Sequence, residues 1–155
     1  MFKRFLQIGV LLLAVSPAAQ AAGEVRHPRD ADFGFAGVFG SFDRASAQRG
    51  LQVYTQVCAA CHSLRLLSYR NLRELGLSEA EVRSIAATVE VTDGPNDEGA
   101  MFQRPARPSD RFRRPHANDA AARAANNGAL PPDLSVMTKA RHDGANYLYS
   151  LLTGY

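Results

Sequence analysis

The sequence predicts an all-α fold of short helices joined by long loops, and three observations lead to it. Residues that commonly cap helices precede stretches in which apolar residues recur every three or four positions, as in amphipathic helices. Between positions 91 and 117 this period is lost, and glycines and prolines interrupt a polar stretch, which predicts a long loop. A chain of 155 residues is long enough to form one domain with its own core.

The first predicted helix follows Asp43, whose carboxylate can cap it, and continues as far as Val57. Leu51, Tyr54 and Cys58 are three and four positions apart, so a helix places them on one face. We expect that face to point toward the site formed by the cysteine motif described below.

Three further helices are predicted from their capping residues. Ser78 and Glu81 form a capping box, and the amphipathic helix that they open is expected to pack into the core. Asn118 can cap a short helix that stops at Gly128, and Asp143 can cap the last one.

Residues 1–22 have the three parts of a secretory signal peptide, namely the basic Lys3 and Arg4, an apolar run at 5–15 and the small residues around Ala21. The run is shorter than the ~20 residues that span a bilayer, which favours a cleaved signal over an anchor. Residues 23–155 then form the domain, beginning with an extended arm at 23–40. Without Lys3 and Arg4 the formal net charge of +3 falls close to zero, so no nucleic-acid partner is expected.

The motif Cys58-Ala59-Ala60-Cys61-His62 lies at the end of the first predicted helix. The C-x-x-C-H spacing is typical of c-type haem attachment, because two thiols at this spacing can add to the two vinyl groups of one porphyrin. The adjacent His62 can then bind the iron as an axial ligand. The motif therefore predicts one covalently bound haem c.

Other uses of the two cysteines fit the surrounding sequence less well. A thiol–disulfide site of the thioredoxin type would require a preceding strand, and none is predicted. A structural zinc site needs four ligands, yet His116 and His142 are far in sequence from the cysteines. A disulfide closing a short loop stays open as an alternative, although it gives His62 no role.

Several segments beyond the motif match a known family. They are Arg49-Gly50-Leu51-Gln52-Val53-Tyr54, Asp93-Gly94-Pro95-Asn96, Met101-Phe102-Gln103-Arg104-Pro105, the stretch 122–135 with Asn126-Asn127-Gly128-Ala129-Leu130-Pro131-Pro132, and the stretches 140–142 and 150–155. Together with the motif they span nearly everything after the signal peptide. By these segments the chain resembles cytochrome c1, the haem subunit of the cytochrome bc1 complex.

The resemblance implies a c-type cytochrome fold of short helices and long loops around one covalently bound haem. It implies that Arg123 pairs with a haem propionate, for which a planar guanidinium is well suited. It also implies that Pro131 and Pro132 lie against the proximal side of the haem. The residues alone favour a solvated helix arginine at position 123, and they are compatible with the two prolines forming a turn that ends a helix.

The function that the resemblance implies is electron transfer, without catalysis by the chain on its own. Such a subunit accepts electrons from the Rieske iron–sulfur protein, lies above cytochrome b and passes electrons to cytochrome c, at the periplasmic face of the bacterial inner membrane. Acidic residues in the long loop, Asp93, Asp97 and Glu98, could steer a basic cytochrome c, or could be ordinary solvated charges.

The chain departs from the family at its C-terminal end. The family's methionine ligand and membrane helix lie downstream of the Leu152-Thr153-Gly154-Tyr155 block, so we expect the haem domain to be C-terminally incomplete. Met101 and Met137 are expected to pack, with Met137 a weak surrogate for the sixth ligand. An open sixth position would permit the alternative of a stand-alone periplasmic monohaem cytochrome, ligand-binding or peroxidase-like.

Overall fold

The computed structural model describes residues 27–154. Within this range the chain forms five α-helices, two short 3₁₀ helices and one two-stranded hairpin. The predicted signal peptide lies outside these residues. The α-helices are α1 (Arg44–Gln56), α2 (Glu79–Ala87), α3 (Asp119–Ala125), α4 (Met137–Ala140) and α5 (Gly144–Thr153), and the 3₁₀ helices span Cys58–Ala60 and Tyr69–Leu75. The predicted fold class is confirmed. Within residues 27–154, no helix has both the length and the apolar character needed to cross a bilayer.

Three of the four predicted caps are confirmed. The Asp43 carboxylate accepts a hydrogen bond from the Ala45 amide at 2.9 Å, and the Asn118 side chain accepts one from Ala121 at 2.9 Å. Ser78 forms the predicted capping box at the start of α2. The cap predicted at Asp143 is wrong in its chemistry. Asp143 precedes α5, but its side chain caps no backbone amide. Instead it accepts hydrogen bonds from the side-chain amide of Asn146.

The core lies between the Tyr69–Leu75 helix, α2 and the segment that follows the hairpin. Its buried members are Tyr69, Leu72, Val82, Ala86, Ala106 and Phe112. The rings of Tyr69 and Phe112 stack with their centroids 4.5 Å apart. Val82 and Ala86 are almost completely buried, so the predicted packing role of α2 is confirmed. Leu51 and Tyr54 of α1 pack against the edge of this cluster.

The stretch 91–117, predicted as a loop, contains a β-hairpin. Strand β1 (Glu90–Asp93) pairs antiparallel with β2 (Phe102–Pro105), with Glu90 opposite Pro105. The Arg104 guanidinium bonds both to Asp93 and to Asp110, the latter at 2.6 Å. The hairpin is therefore tied by its own ion pairs to the segment that enters the core, a pairing across the chain that local composition does not reveal.

The described part of the predicted N-terminal arm lies on α5. The Arg29 amide donates to the Ser150 hydroxyl at 2.7 Å, and the Ala31 amide donates to the Asn146 side chain at 3.0 Å. The edge of the Phe33 ring meets Tyr149. These contacts confirm, for residues 29–33, that the arm packs on the domain, whereas Val38 and Phe39 further along it are exposed.

Candidate functional site

The cysteine motif occupies a tight turn immediately after α1. The helix ends at Gln56, and Cys58–Ala60 forms a single 3₁₀ turn. The amides of Cys61 and His62 both donate to the Cys58 carbonyl, at 3.1 and 2.8 Å. This turn therefore contains both cysteines and the histidine, as attachment to one porphyrin requires.

The imidazole of His62 is oriented by a backbone carbonyl 70 residues further along the chain. Its Nδ1 lies 2.8 Å from the Pro132 carbonyl oxygen. A carbonyl can only accept a hydrogen bond, so Nδ1 carries the proton and Nε2 keeps its lone pair. Histidines that bind metals are commonly oriented in this way: the ring nitrogen that does not bind the metal donates a hydrogen bond to a carbonyl or carboxylate.

Tyr54 supports the same turn from α1. Its hydroxyl donates to the His62 carbonyl at 3.0 Å. Burial, with a contribution from the nearby negative charge of Asp133, raises the pKa of Tyr54 to about 12. The hydroxyl is therefore protonated throughout the physiological range and keeps this hydrogen bond.

Asp133 joins the segment after the motif to the segment that carries the two prolines. Its carboxylate accepts from the Ser63 hydroxyl at 2.6 Å, from the Arg65 amide at 2.9 Å and from the Ser135 amide at 3.0 Å. The Leu134 amide also donates to the Ser63 carbonyl at 2.9 Å. These bonds hold the Pro132 carbonyl where it meets His62.

The electrostatic state of Asp133 follows from the same contacts. Burial alone would raise the pKa of Asp133, but hydrogen bonds from Ser135, Ser63 and Arg65 outweigh burial and lower the pKa to about 2. The carboxylate is thus ionised at neutral pH, the form that accepts several hydrogen bonds at once.

Two cavities border the motif and differ in character. The first, of about 370 Å³, is the more polar of the two and has polar and apolar groups in similar proportion; its lining includes Cys61, Arg65, Arg114, His116, Pro131 and Pro132. The second, of about 470 Å³, is more apolar and is lined by residues that include Leu51, Tyr54, Ala59, Ala60, Tyr69 and Phe112. Arg114 and Pro115 line both cavities, so the two are neighbours.

The residues around the motif fit a haem. A haem is largely an apolar macrocycle, and the more apolar cavity lies beside the attachment turn, where the macrocycle would pack. His116, one of the residues that line the polar cavity, has a buried Nε2 with no hydrogen-bond partner within residues 27–154.

Some of the residues predicted for the site lie beside the cysteine motif, and Arg123 is not among those that line its cavities. Pro131 and Pro132 line the polar cavity that Cys61 also lines, and Pro132 contacts His62 directly. Arg123 is exposed on α3 and donates to the Gly128 carbonyl at 3.0 Å. Arg123 is not among the residues that line either cavity, so its predicted propionate contact stays a prediction.

The two methionines differ from each other. Met137 is buried, with 9% of its surface exposed, as expected for a packing residue, and it lines neither cavity. Met101 is 60% exposed, so the packing role predicted for it is wrong. In the acidic loop, Asp93 is bonded to Arg104, whereas Asp97 and Glu98 are exposed.

Sequence reasoning missed the supporting residues of the site. Asp133 carries a local signal, because a carboxylate two positions before Ser135 commonly accepts from its amide, but the bonds to Ser63 and Arg65 depend on the fold. The sequence offers His116 only as a possible zinc ligand, and no pattern along the chain places it near Cys61.

Comparisons with known proteins identify a family for this chain. The matching family is described as the Cytochrome C1 family, and the match covers residues 33–155. A relative from Arabidopsis thaliana, "Cytochrome c1 1, heme protein, mitochondrial", is 60% identical over 77% of this chain and 39% of its own length. "Cytochrome c1" of Rhodospirillum rubrum is 48% identical over 99% of this chain and 56% of its own length.

A third relative, the "Cytochrome b-c1 complex catalytic subunit, mitochondrial" of Candida albicans, is 47% identical over 89% of this chain and 48% of its own length. The chain thus spans about half the length of these relatives. The predicted cofactor, one covalent haem c, is the cofactor of this family. On the extent of the family match and the level of identity, the chain belongs to the cytochrome c1 family.

Proposed function

We propose that this chain is the haem-bearing part of an electron-transfer subunit of a cytochrome bc1 complex. Cys58 and Cys61 would hold one haem c through thioethers, and His62 would supply a nitrogen ligand to its iron. The observation that carries the proposal is the contact between His62 Nδ1 and the Pro132 carbonyl, which leaves Nε2 available as a ligand. The haem, when bound, supplies a one-electron couple.

The residues of the chain prepare the site for that group. Pro132 sets the tautomer of His62, Tyr54 holds the backbone of the turn, and Asp133 anchors the proline segment. The more apolar cavity beside Ala59 and Ala60 offers a surface on which the haem ring would pack. Burial and second-shell hydrogen bonds of this kind are the means by which a protein tunes a haem's reduction potential.

Family membership supports the proposed partners. The Candida albicans relative is named as a subunit of the b-c1 complex, which supports a place in such a complex. Within it the chain would receive electrons from the Rieske iron–sulfur protein, lie beside cytochrome b and reduce cytochrome c. We also propose that residues 1–22 export the chain to the periplasmic face of a bacterial inner membrane, where it associates with the membrane through the complex.

Docking of cytochrome c is proposed to involve Asp97 and Glu98. Both are exposed on the hairpin loop, whereas Asp93 is neutralised by Arg104. Exposed charges of this kind accelerate association more than they strengthen it, and the acceleration weakens as salt rises.

Rapid mixing of the reduced, haem-loaded chain with oxidised cytochrome c tests the proposal. We expect one electron to pass per haem in a second-order reaction that slows as salt is added. The double substitution Asp97→Asn and Glu98→Gln should slow it at low salt, and Glu74→Gln, another exposed acid, is the matched control. A haem-loaded chain that passes no electron to cytochrome c would refute the assignment.

A further inference from the structure

Positive charge is concentrated in two segments of the chain, 65–74 and 107–114. Together they carry seven arginines and two acids, whereas the whole chain has a formal net charge of +3, so the remaining residues are net negative. The two segments adjoin in the fold, because the Arg70 amide donates to the Pro108 carbonyl at 2.7 Å. Charge that is segregated in this way indicates a surface for a partner of opposite charge.

Four of these arginines are free of acidic partners. They are exposed, and they form no ion pair within residues 27–154. The two acids of the segments have other partners, since Asp110 accepts from the Arg104 guanidinium at 2.6 Å and Glu74 accepts from the Asn71 side chain at 3.3 Å. We refer to the four residues as the arginine surface: Arg70, Arg73, Arg107 and Arg111.

Three members of the arginine surface start from neighbouring backbone positions. Arg70 and Arg73 are three positions apart in the Tyr69–Leu75 helix, and residues at this spacing in a 3₁₀ helix lie on the same face. Arg107 directly precedes Pro108, whose carbonyl accepts from the Arg70 amide. The three guanidinium groups therefore contribute positive charge to one region.

Arg111, the fourth member, lies beside an exposed leucine. Its guanidinium donates to the Arg65 carbonyl at 2.9 Å, immediately before Leu66, which is 54% exposed. Leu66 is the one exposed large apolar residue of the two segments, both of which lie within the described residues. A protein interface normally has a core of several apolar side chains inside a polar rim, which a single leucine does not supply. A lipid surface fits better, because basic side chains meet its headgroups and an apolar one can enter below them.

The arginine surface is open, since none of its four residues lines either cavity beside the motif. A small free anion is usually held in a concave site, whereas an open array of guanidinium groups can bind phosphates that are spread over a plane. Each guanidinium can bond a phosphate through two N–H groups. We propose that the arginine surface binds the phosphate groups of an anionic lipid bilayer, so that the chain itself contacts the membrane; this inference uses the location proposed above but not the haem.

Co-sedimentation of the full, haem-loaded chain with lipid vesicles tests the inference. We expect binding to vesicles of phosphatidylcholine and phosphatidylglycerol in equal parts, weakening as salt rises, and little binding to phosphatidylcholine alone. The double substitution Arg70→Gln and Arg107→Gln should lower the partition coefficient about tenfold or more, since each basic residue near an anionic surface strengthens binding about fivefold. The matched control, Arg49→Gln with Arg83→Gln, removes two exposed arginines that are paired with acids and should lower it much less.

Several results would overturn the inference. Equal binding to both kinds of vesicle, or an equal loss in the two double variants, would show that the arginine surface is not the lipid contact. Displacement by inorganic phosphate, but not by chloride at equal ionic strength, would assign it to a free anion. Binding to soluble polyglutamate but not to vesicles would assign it to an acidic protein. Thermal unfolding of each variant separates these results from misfolding. A chain that binds anionic vesicles but acquires no covalent haem would refute the proposed function alone.

Discussion

The core and the haem-motif side of this molecule are held together by different forces. Around Tyr69 and Phe112, apolar side chains are buried against one another. Around the motif, two segments 70 residues apart are joined mainly by hydrogen bonds that meet at Asp133. Apolar burial supplies most of the stability of a fold, whereas directed hydrogen bonds contribute less and set geometry. The comparison suggests that the core maintains the fold while the polar contacts position the site.

The largest effect is expected in the core. Leu72 is 5% exposed within the main cluster, so Leu72→Ala should lower the free energy of unfolding by about 2–5 kcal/mol through lost burial and a residual cavity. Urea denaturation followed by circular dichroism measures this loss of stability. Leu66→Ala, at a residue that is 54% exposed, is the control and should cost much less. Equal losses in the two variants would show that the cluster is not the main source of stability.

A smaller loss, with a specific consequence for the site, is expected at Asp133. Asp133→Ala leaves the donors of Ser63, Arg65 and Ser135 without their acceptor and should lower the free energy of unfolding by about 1–3 kcal/mol. Because the Pro132 carbonyl loses its anchor, the fraction of chains that acquire covalent haem should also fall.

Urea denaturation and the haem-to-protein absorbance ratio measure the two effects. Asp97→Ala, which removes an exposed acid, should leave both unchanged. Normal haem content in Asp133→Ala would show that the hydrogen bonds at this residue do not position the site.

The helix caps, the cysteine motif and Asp133 show what the sequence could and could not predict. Helix starts at Asp43, Ser78 and Asn118 were predictable because a cap bonds to amides two or three positions away. The motif was recognisable because its chemistry lies within five consecutive residues. The role of Asp133 depends on contacts between distant segments, as does the pairing of β1 with β2, and sequence spacing does not report such contacts.

Acid should lower the free energy of unfolding by protonating Asp110, which pairs with Arg104 of strand β2. Hydrogen bonds from the Arg104 side chain and then from the Arg107 amide lower the pKa of Asp110 from 3.8 to about 2. A carboxyl whose pKa is lowered by folding stabilises the folded state above its unfolded pKa, and this contribution disappears as pH falls from about 4 toward 2.

Urea denaturation at pH 5 and pH 2.5 tests this, with Asp110→Asn as the comparison. The unsubstituted chain should lose more stability between the two pH values than the variant does. If both lose the same amount, the pair between Asp110 and Arg104 does not contribute to acid sensitivity.

The smallest effect is expected at Arg123. Its exposed guanidinium donates to the Gly128 carbonyl at the end of α3, so Arg123→Gln should lower the free energy of unfolding by less than about 1 kcal/mol. If Arg123 pairs with a haem propionate, as the family resemblance implies, redox titration should show a lower reduction potential in this variant. An unchanged potential would contradict that contact.

The central claim, that Cys58 and Cys61 bind a haem covalently, is tested most directly by mass spectrometry of the chain produced in cells with working haem-ligation machinery. We predict that the exported chain gains the mass of one haem, keeps it through acid–acetone extraction, and yields a peptide with both cysteines modified. A chain recovered with unmodified thiols at these positions, or one whose haem is removed by extraction, would contradict the account.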